Sequence, residues 1–508
     1  MRKEIELKFE VTPQDLRKLR GARVLRRKPL KEEDLVSVYF DTPKHKLARN
    51  DVTLRVRRNG AKCLQTIKSG GLAGSFRRGE WEHKTKGDVP NLRKARDTAL
   101  APLLTKKLKR GLKPVFETHI HRTSVPVRKN GTLIEVALDE GRVRAGRRSA
   151  PISELELELK RGKTGDIFKL AHEMGKLAPA TLSLKSKSER GYDLIENKPA
   201  KAVGAEKIRL QRGMNTADAF RIIGRSILRH IAGNETAVRR SDSEGVHQMR
   251  VGLRRLRAAI SLFAKLLGDQ ETERVKAELK WLTGELAPAR DLDVYMRNEI
   301  EPLRRDAPTR RGMKELTGAL TLRRAAAFGK AKAAVESPRY RLLLLDTLQW
   351  LENGDWAKHP RFYGHRPIER FAADILARRT KRTMKNAKKI RQLDTQQRHK
   401  LRIAAKKLRY ASDFFGRLFA GRTAKKRLTG FKARLTDLQD CLGALNDIKV
   451  HQNLAPKLAP GKPRGKAPRA QAFAIGVVSG REQSGIEPLL NAAEKDARKF
   501  LHALPFWT

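Results

Sequence analysis

Glu4-Ile5-Glu6-Leu7-Lys8-Phe9-Glu10 alternates charged and apolar side chains without interruption. In a β-strand that period of two places Glu4, Glu6 and Lys8 on one face and Ile5, Leu7 and Phe9 on the other. For one isolated strand the simplest reading is a half-buried edge with a solvated charged face. The pattern returns, however, at Glu154-Leu155-Glu156-Leu157-Glu158-Leu159-Lys160, and the strand-like runs between are rich in Arg and Lys. Carboxylates and cations gathered on one face of a sheet can hold a divalent metal and a row of phosphates.

Outward from these two stretches, residues 1–200 read as mostly β. Strand character marks 3–11, 35–41, 52–58, 62–68, 78–84, 115–122, 124–128, 132–139, 152–160 and a last run near 181–188. Helices are expected at 13–20, 92–108 and 164–176. Asn130-Gly131, between two apolar-containing runs, is a strong hairpin signal. Such a series predicts an antiparallel β-tunnel, a closed barrel with flanking helices. A passage around 201–209 rich in Lys, Ala and Gly reads as a linker.

Beyond it strand signals stop, and Arg, Lys, Leu and Ala recur at helical spacing. Helices are expected near 215–233, 242–267, 270–286, 290–304, 312–334, 339–352, 366–390, 395–419, 422–440, 443–454 and 486–503. The stretch 456–470 carries four Pro and two Gly among basic residues and predicts a flexible insert. This half repeats itself. The segment from His247-Gln248-Met249-Arg250 to Leu256-Arg257 recurs from His399-Lys400-Leu401-Arg402 to Leu408-Arg409, and Asp291-Leu-Asp-Val294 recurs as Asp447-Ile-Lys-Val450. The expected fold is multidomain α+β. A β domain over 1–200 precedes an all-α domain over 210–505, built as two related bundles at about 210–355 and 363–505.

The chain has 508 residues, with 112 Lys and Arg against 56 acids, a formal net charge of +56. That excess points to a polyanionic partner: nucleic acid, an anionic membrane surface or polyphosphate. Cys63 and Cys441 are the only cysteines, which fits a reducing compartment and excludes a disulfide framework or a Cys-rich zinc site. The chain opens on a charged strand rather than a signal peptide, and no apolar run approaches the roughly 18 residues of a membrane-spanning helix. A soluble, cytoplasmic protein with no membrane partner is expected.

If the charged strand faces line the tunnel, Glu4, Glu6 and Lys8 meet Arg55, Arg57, Lys68, Arg78, Arg122, Glu135, Asp139 and Lys187 there. Oxygen ligands without Cys or His select Mg²⁺ or Mn²⁺ over zinc. The implied chemistry is metal-assisted hydrolysis of a phosphoanhydride. Residues 1–200 resemble the CYTH domain of the triphosphate tunnel metalloenzymes, most closely the bacterial inorganic triphosphatase branch. The resemblance rests on Glu4-x-Glu6-x-Lys8, Tyr39-Phe40-Asp41-Thr42, Leu54-Arg55-x-Arg57, Thr66-Ile67-Lys68, Ala137-Leu138-Asp139-x-Gly141, Glu154-x-Glu156-x-Glu158 and Lys187-x-x-Arg190-Gly191-Tyr192. It implies Glu4, Glu6 and the Glu154/Glu156/Glu158 group as metal ligands. It implies Lys8, Arg55, Arg57, Lys68, Arg122 and Lys187 as phosphate ligands, with Arg78 added from its strand face.

On a helix turning about 100° per residue, His247, Arg250, Arg254 and Arg257 fall inside an arc of about 80°. His399, Arg402, Lys406 and Arg409 do the same in the second copy. Met249, Leu253 and Leu256, like Leu401 and Leu408, fall on the opposite, core-facing side. A solvated basic face explains one such helix, and its duplication with the histidine in register favours a bound polyanion. Residues 210–505 resemble the CHAD domain, which implies inorganic polyphosphate held by these eight residues. Nucleic acid is disfavoured, because aromatics make up only 6% and do not interleave with the basic residues.

The combined expectation is a triphosphatase that takes inorganic triphosphate in its β-tunnel and binds polyphosphate through its helices, with polyphosphate granules as a further location. The alternatives are a non-catalytic polyphosphate scaffold, or hydrolysis of an organic triphosphate such as thiamine triphosphate, a nucleotide or an RNA 5′ end.

Overall fold

The computed structural model describes residues 2–508 apart from 27–29, 70–76, 198–200, 304–309, 359–363, 420 and 459–465. The chain divides into two compact units. The first comprises Met1–Lys201 with Ser337–Gly354, and the second Ala202–Glu336 with Asp355–Thr508.

The first unit is built on an antiparallel sheet. Its strands are β1 (Arg2–Glu10), β2 (Lys31–Asp41), β3 (Val52–Asn59), β4 (Lys62–Ser69), β5 (Arg77–Thr85), β6 (Lys113–Lys129), β7 (Thr132–Ala145), β8 (Arg148–Arg161) and β9 (Thr181–Leu182). They run in the order β5-β4-β3-β2-β6-β7-β8-β1-β9. The expected closed barrel is therefore not what the sheet forms as a whole. The order runs linearly from β5 to β9, and Arg2–Ile5 of β1, the strand next to β9, pairs in addition with β5. Strand β1 is shared, its second half pairing with β8 and its last residues with β9.

Alternation of side chains then separates a dry face from a charged one. Leu7, Phe9, Leu155 and Leu157 are fully buried, as are Ile167 and Phe168 of the helix Thr164–Leu177, which packs against β1 and β8. Each such side chain contributes about 1.5–3 kcal/mol by leaving water. The helix Pro338–Asn353, from the middle of the helical half, also belongs to this unit. It packs on Thr164–Leu177 and β9, with His172 Nε2 3.2 Å from Gln349 and from Asp346.

Two local expectations are corrected. The run 181–188 is strand only at Thr181–Leu182, because Ser186 caps a helix, Lys187–Ile195, through a capping box with Glu189. The helix expected at 92–108 breaks into turns at Leu92–Ala95 and Ala101–Leu103 and a short helix at Lys106–Gly111, each held by its own cap or turn hydrogen bonds.

The second unit is helical. Thr216–Ala232 packs on Ser243–Leu262, which packs on Gln270–Tyr295, and Ile368–Ala387, Thr395–Phe415 and Arg422–Leu458 follow the same succession. The two pairs of helices expected at 270–286/290–304 and 422–440/443–454 are instead near-continuous. The first runs unbroken through Pro288 into a π-helical turn, Met296–Ile300. A helix at Lys466–Ser484 was not expected. It takes up the end of the stretch read as an insert, whose residues 459–465 lie outside the described set. Met249, Leu253, Leu256, Leu401 and Leu408 are buried, as their stripe requires. Phe220, Phe263, Phe371 and Phe415 form an aromatic core. No described helix is long and apolar enough to cross a membrane.

Candidate functional site

The charged face of the sheet lines a cavity of about 200 Å³. Glu6, Lys8, Arg55, Arg57, Lys68, Arg122, Glu156, Glu158 and Lys187 all reach it, so most of the residues expected to share a tunnel do meet. Tyr39, Glu135, Lys160 and Ser186 also line it. The side chains of Glu4 and Arg78 lie outside the described residues, although their backbones are register partners across β1 and β5. Glu154 sits below this lining, fully buried.

Register explains the grouping. Directly opposed residues on neighbouring strands share a face. Glu6, Glu158 and Glu135 therefore form one row across β1, β8 and β7. Lys8 faces Glu156 in the next row, and Glu154, Asp139 and Arg122 form the third.

The deep end is an ion-pair network. Lys187 Nζ stands 2.7 Å from Asp139, 2.6 Å from Glu154 and 2.7 Å from Glu156. Arg122 grips Asp139 with two N–H donors at 2.7 and 2.6 Å and also pairs with Glu156. Arg190 pairs with Glu154 at 2.9 Å, and Lys8 with Glu156 at 2.8 Å and Glu6 at 3.1 Å. Burial opposes ionisation of Glu156, but Lys187, Lys8 and Arg122 outweigh it and hold its carboxyl well below the usual range. Burial likewise opposes the Lys8 charge, and Glu156 and Glu6 outweigh it, so Lys8 stays protonated.

The other wall is cationic. Burial, then Arg55 and Arg122, push Arg57 down to about 10. Guanidiniums crowded this closely repel one another, a strain that a bound anion relieves. Lys68 pairs with Glu80 at 3.0 Å.

Among the carboxylates, Asp139, Glu154 and Glu156 can bring one oxygen each within 4.8 Å of one another, but the Lys187 ammonium already stands among them. Glu6, Glu135 and Glu158, oxygen donors only, line the open part of the cavity with Lys8 and Lys160 as neighbours. That donor set fits a hard divalent cation. Asp139 was a motif residue without an assigned role, and its pairing partners become visible only with the register. Asp41 is structural: fully buried, it accepts from the backbone N–H of Thr42, Leu47 and Ala48 and from the Tyr192 hydroxyl at 2.8 Å.

In the second unit the helices Ser243–Leu262 and Thr395–Phe415 pack together. His247, Arg250 and Arg254 act on one another electrostatically, and Arg254 reaches Arg402 and Lys406 of the other copy. Burial, then Arg402 and Arg254, bring Lys406 down to about 7. Arg250 Nη1, Arg254 Nε, Arg402 Nε and Arg409 Nε are buried with no acceptor among the described residues. Buried N–H groups of this kind call for an acceptor. Arg257 is exposed and lies nearer Lys407, and His399 is exposed and bonds Asn446 at 2.7 Å. Arg290, which burial and Asp293 act on most, also faces His247 and was not foreseen.

Residues 2–192 match the CYTH domain family and residues 223–456 the CHAD domain family. An inorganic triphosphatase of Haemophilus influenzae is 32% identical over 201 residues, 38% of this chain and 55% of that protein, so the chain spans about half the length of that curated relative. An uncharacterized protein of Mycobacterium tuberculosis is 29% identical over 373 residues, 68% of this chain and 69% of its own length. The crystal structure of the CHAD domain from the plant Ricinus communis superposes with a TM-score of 0.51 at 30% identity, covering 60% of this chain and 97% of that one.

Proposed function

The chain belongs to the CYTH–CHAD proteins, and from that premise we propose that its first unit hydrolyses inorganic triphosphate while its helical unit binds polyphosphate. The observation that carries the first part is the cavity itself, in which Arg55, Arg57, Arg122, Lys8 and Lys68 face the carboxylate row of Glu6, Glu135 and Glu158. The likeness to the Haemophilus influenzae inorganic triphosphatase supports it.

Glu4, Glu6 and Glu158 would hold Mg²⁺ or Mn²⁺, which would supply Lewis-acid stabilisation of phosphate charge. Arg55, Arg57 and Lys68 bind and align the phosphate chain. Arg122, whose Nε and Nη2 Asp139 holds, turns its remaining N–H donors to phosphate oxygens. Lys8, kept charged by Glu156 and Glu6, neutralises the phosphate nearest the carboxylates. Lys187 secures Glu154 beneath the cavity and Glu156 on its lining.

In the helical unit, the four buried guanidinium N–H groups without acceptors support polyphosphate held by Arg250, Arg254, Arg402, Lys406 and Arg409. The repeated helix succession supports two related bundles. A cytoplasmic location near polyphosphate follows from that partner. Phosphate release from triphosphate, ATP and long-chain polyphosphate, compared in one assay with Mg²⁺ or Mn²⁺, tests the substrate. Fastest release from ATP would overturn the inorganic assignment.

A further inference from the structure

We propose that Glu299, His451 and Glu482 form a second, histidine-containing divalent metal site inside the helical unit, distinct from the oxygen-only row of the sheet cavity. The three residues come from separate elements: the π-helical turn Met296–Ile300, the long helix Arg422–Leu458 and the helix Lys466–Ser484. One donor atom from each lies within 4.8 Å of the others. His451 Nδ1 is 2.5 Å from Glu482 Oε1, and both side chains are almost fully buried, at 4% and 3% exposure. Among the described residues no hydrogen bond or ion pair engages the Glu299 carboxylate, which is half-buried and directed at the pair.

Two carboxylates converging on one imidazole are costly to bury unless a cation joins them. Bases outnumber acids two to one in the chain, yet Arg481 acts on Glu299 only electrostatically and makes no ion pair with it among the described residues. The backbone supports the same reading. A π-helical turn replaces regular helix where Glu299 projects, and such turns recur at functional sites. The repeat supplies an independent contrast. Extending the Asp291–Asp447 correspondence along both copies pairs Tyr295 with His451, and their rings stand 4.7 Å apart. His451 is therefore peculiar to the second copy and no part of the duplicated basic stripe.

One imidazole with two carboxylates suits Mn²⁺, Fe²⁺ or Zn²⁺ better than Mg²⁺ or Ca²⁺. His247, beside Arg250, Arg254 and Arg290, is in no position to compete for a cation.

The test uses the full chain, stripped with chelator and loaded with Mn²⁺ in the presence of excess Mg²⁺, and reads nitrogen hyperfine coupling to Mn²⁺ by pulsed EPR. Wild type should show coupling to one imidazole nitrogen. His451→Gln should abolish it, and Glu299→Gln, at a half-exposed position that tolerates the change, should weaken Mn²⁺ at that site about tenfold or more. Glu6→Gln should leave the nitrogen signal in place. Absence of nitrogen coupling in wild type, its persistence in His451→Gln, or unchanged Mn²⁺ affinity in Glu299→Gln would each overturn the proposal.

Discussion

Lys187, the first residue of its helix, donates to Glu154 at 2.6 Å at the buried end of the sheet cavity. The same ammonium serves Asp139 and Glu156, so one cation links three buried carboxylates that Arg122, Arg190 and Lys8 also pair with. Lys187→Met should therefore destabilise the chain by about 3–5 kcal/mol, the range for a broken buried ion pair. Glu156, held low in the folded protein, contributes stability above its unfolded pKa that fades as pH falls. Removing Lys187 reverses the balance, so the loss in urea unfolding should be larger at pH 8 than at pH 5. A variant within about 1 kcal/mol of wild type at both pH values would refute this account of the network.

The helix that carries Lys187 depends on a close approach. A Cβ on Gly191 would stand 2.2 Å from the Phe116 ring, which itself stacks on Tyr39 of the cavity wall. Gly191→Ala should lower stability by about 1–3 kcal/mol, as overpacking does. It should also reduce triphosphate hydrolysis by shifting Lys187. An unchanged melting temperature would show that the ring yields freely.

Lys406 supplies a pH signature for the helical unit. Its folded-state value of about 7 lies below the ordinary 10.5, so the free protein sheds this proton as pH rises through 7. A bound phosphate chain restores the charge, and binding then takes up a proton. Polyphosphate affinity should fall between about pH 7 and 10, by at most tenfold per unit for one proton. Lys406→Met should flatten that slope. A slope equal in variant and wild type would assign it to other groups.

The two halves should separate by mutation. His247→Ala combined with Arg250→Ala removes two adjoining side chains of the basic face. Polyphosphate binding should weaken about tenfold or more, since hydrogen bonds to charged groups contribute about 1.5–3 kcal/mol each. Triphosphate hydrolysis should stay near wild type. Equal loss of both would tie the units together functionally.

The strand alternation at Glu4–Glu10 and Glu154–Lys160 was enough to foresee an antiparallel sheet with one charged face, because a period of two leaves little choice of geometry. It was not enough to say which carboxylates stay accessible. Glu154 and Glu158 read alike in sequence, and only the register shows Glu154 beside Asp139 and Glu158 beside Glu135. Leu184-Lys185-Ser186-Lys187 alternates as a strand would, yet Ser186 and Glu189 spell the capping box that makes Lys187 helical. The helix Lys466–Ser484 was hidden by Pro468, Gly476 and Gly480, whose low propensities packing against Arg310–Glu336 overrides. The half-buried Arg254, Arg402 and Arg409 follow from the basic stripe, but the missing acceptors of their buried Nε atoms are visible only in the packed helices.

The central claim is that the cavity around Glu6 and Arg57 is a metal-dependent triphosphatase site, and phosphate release from inorganic triphosphate tests it most directly. Purified chain with Mg²⁺ or Mn²⁺ should release phosphate, chelator should stop it, and Glu6→Gln should reduce the rate about a hundredfold or more, as removal of a metal ligand does. Wild-type protein that binds triphosphate but releases no phosphate with either metal would contradict the claim and leave the chain a binding scaffold.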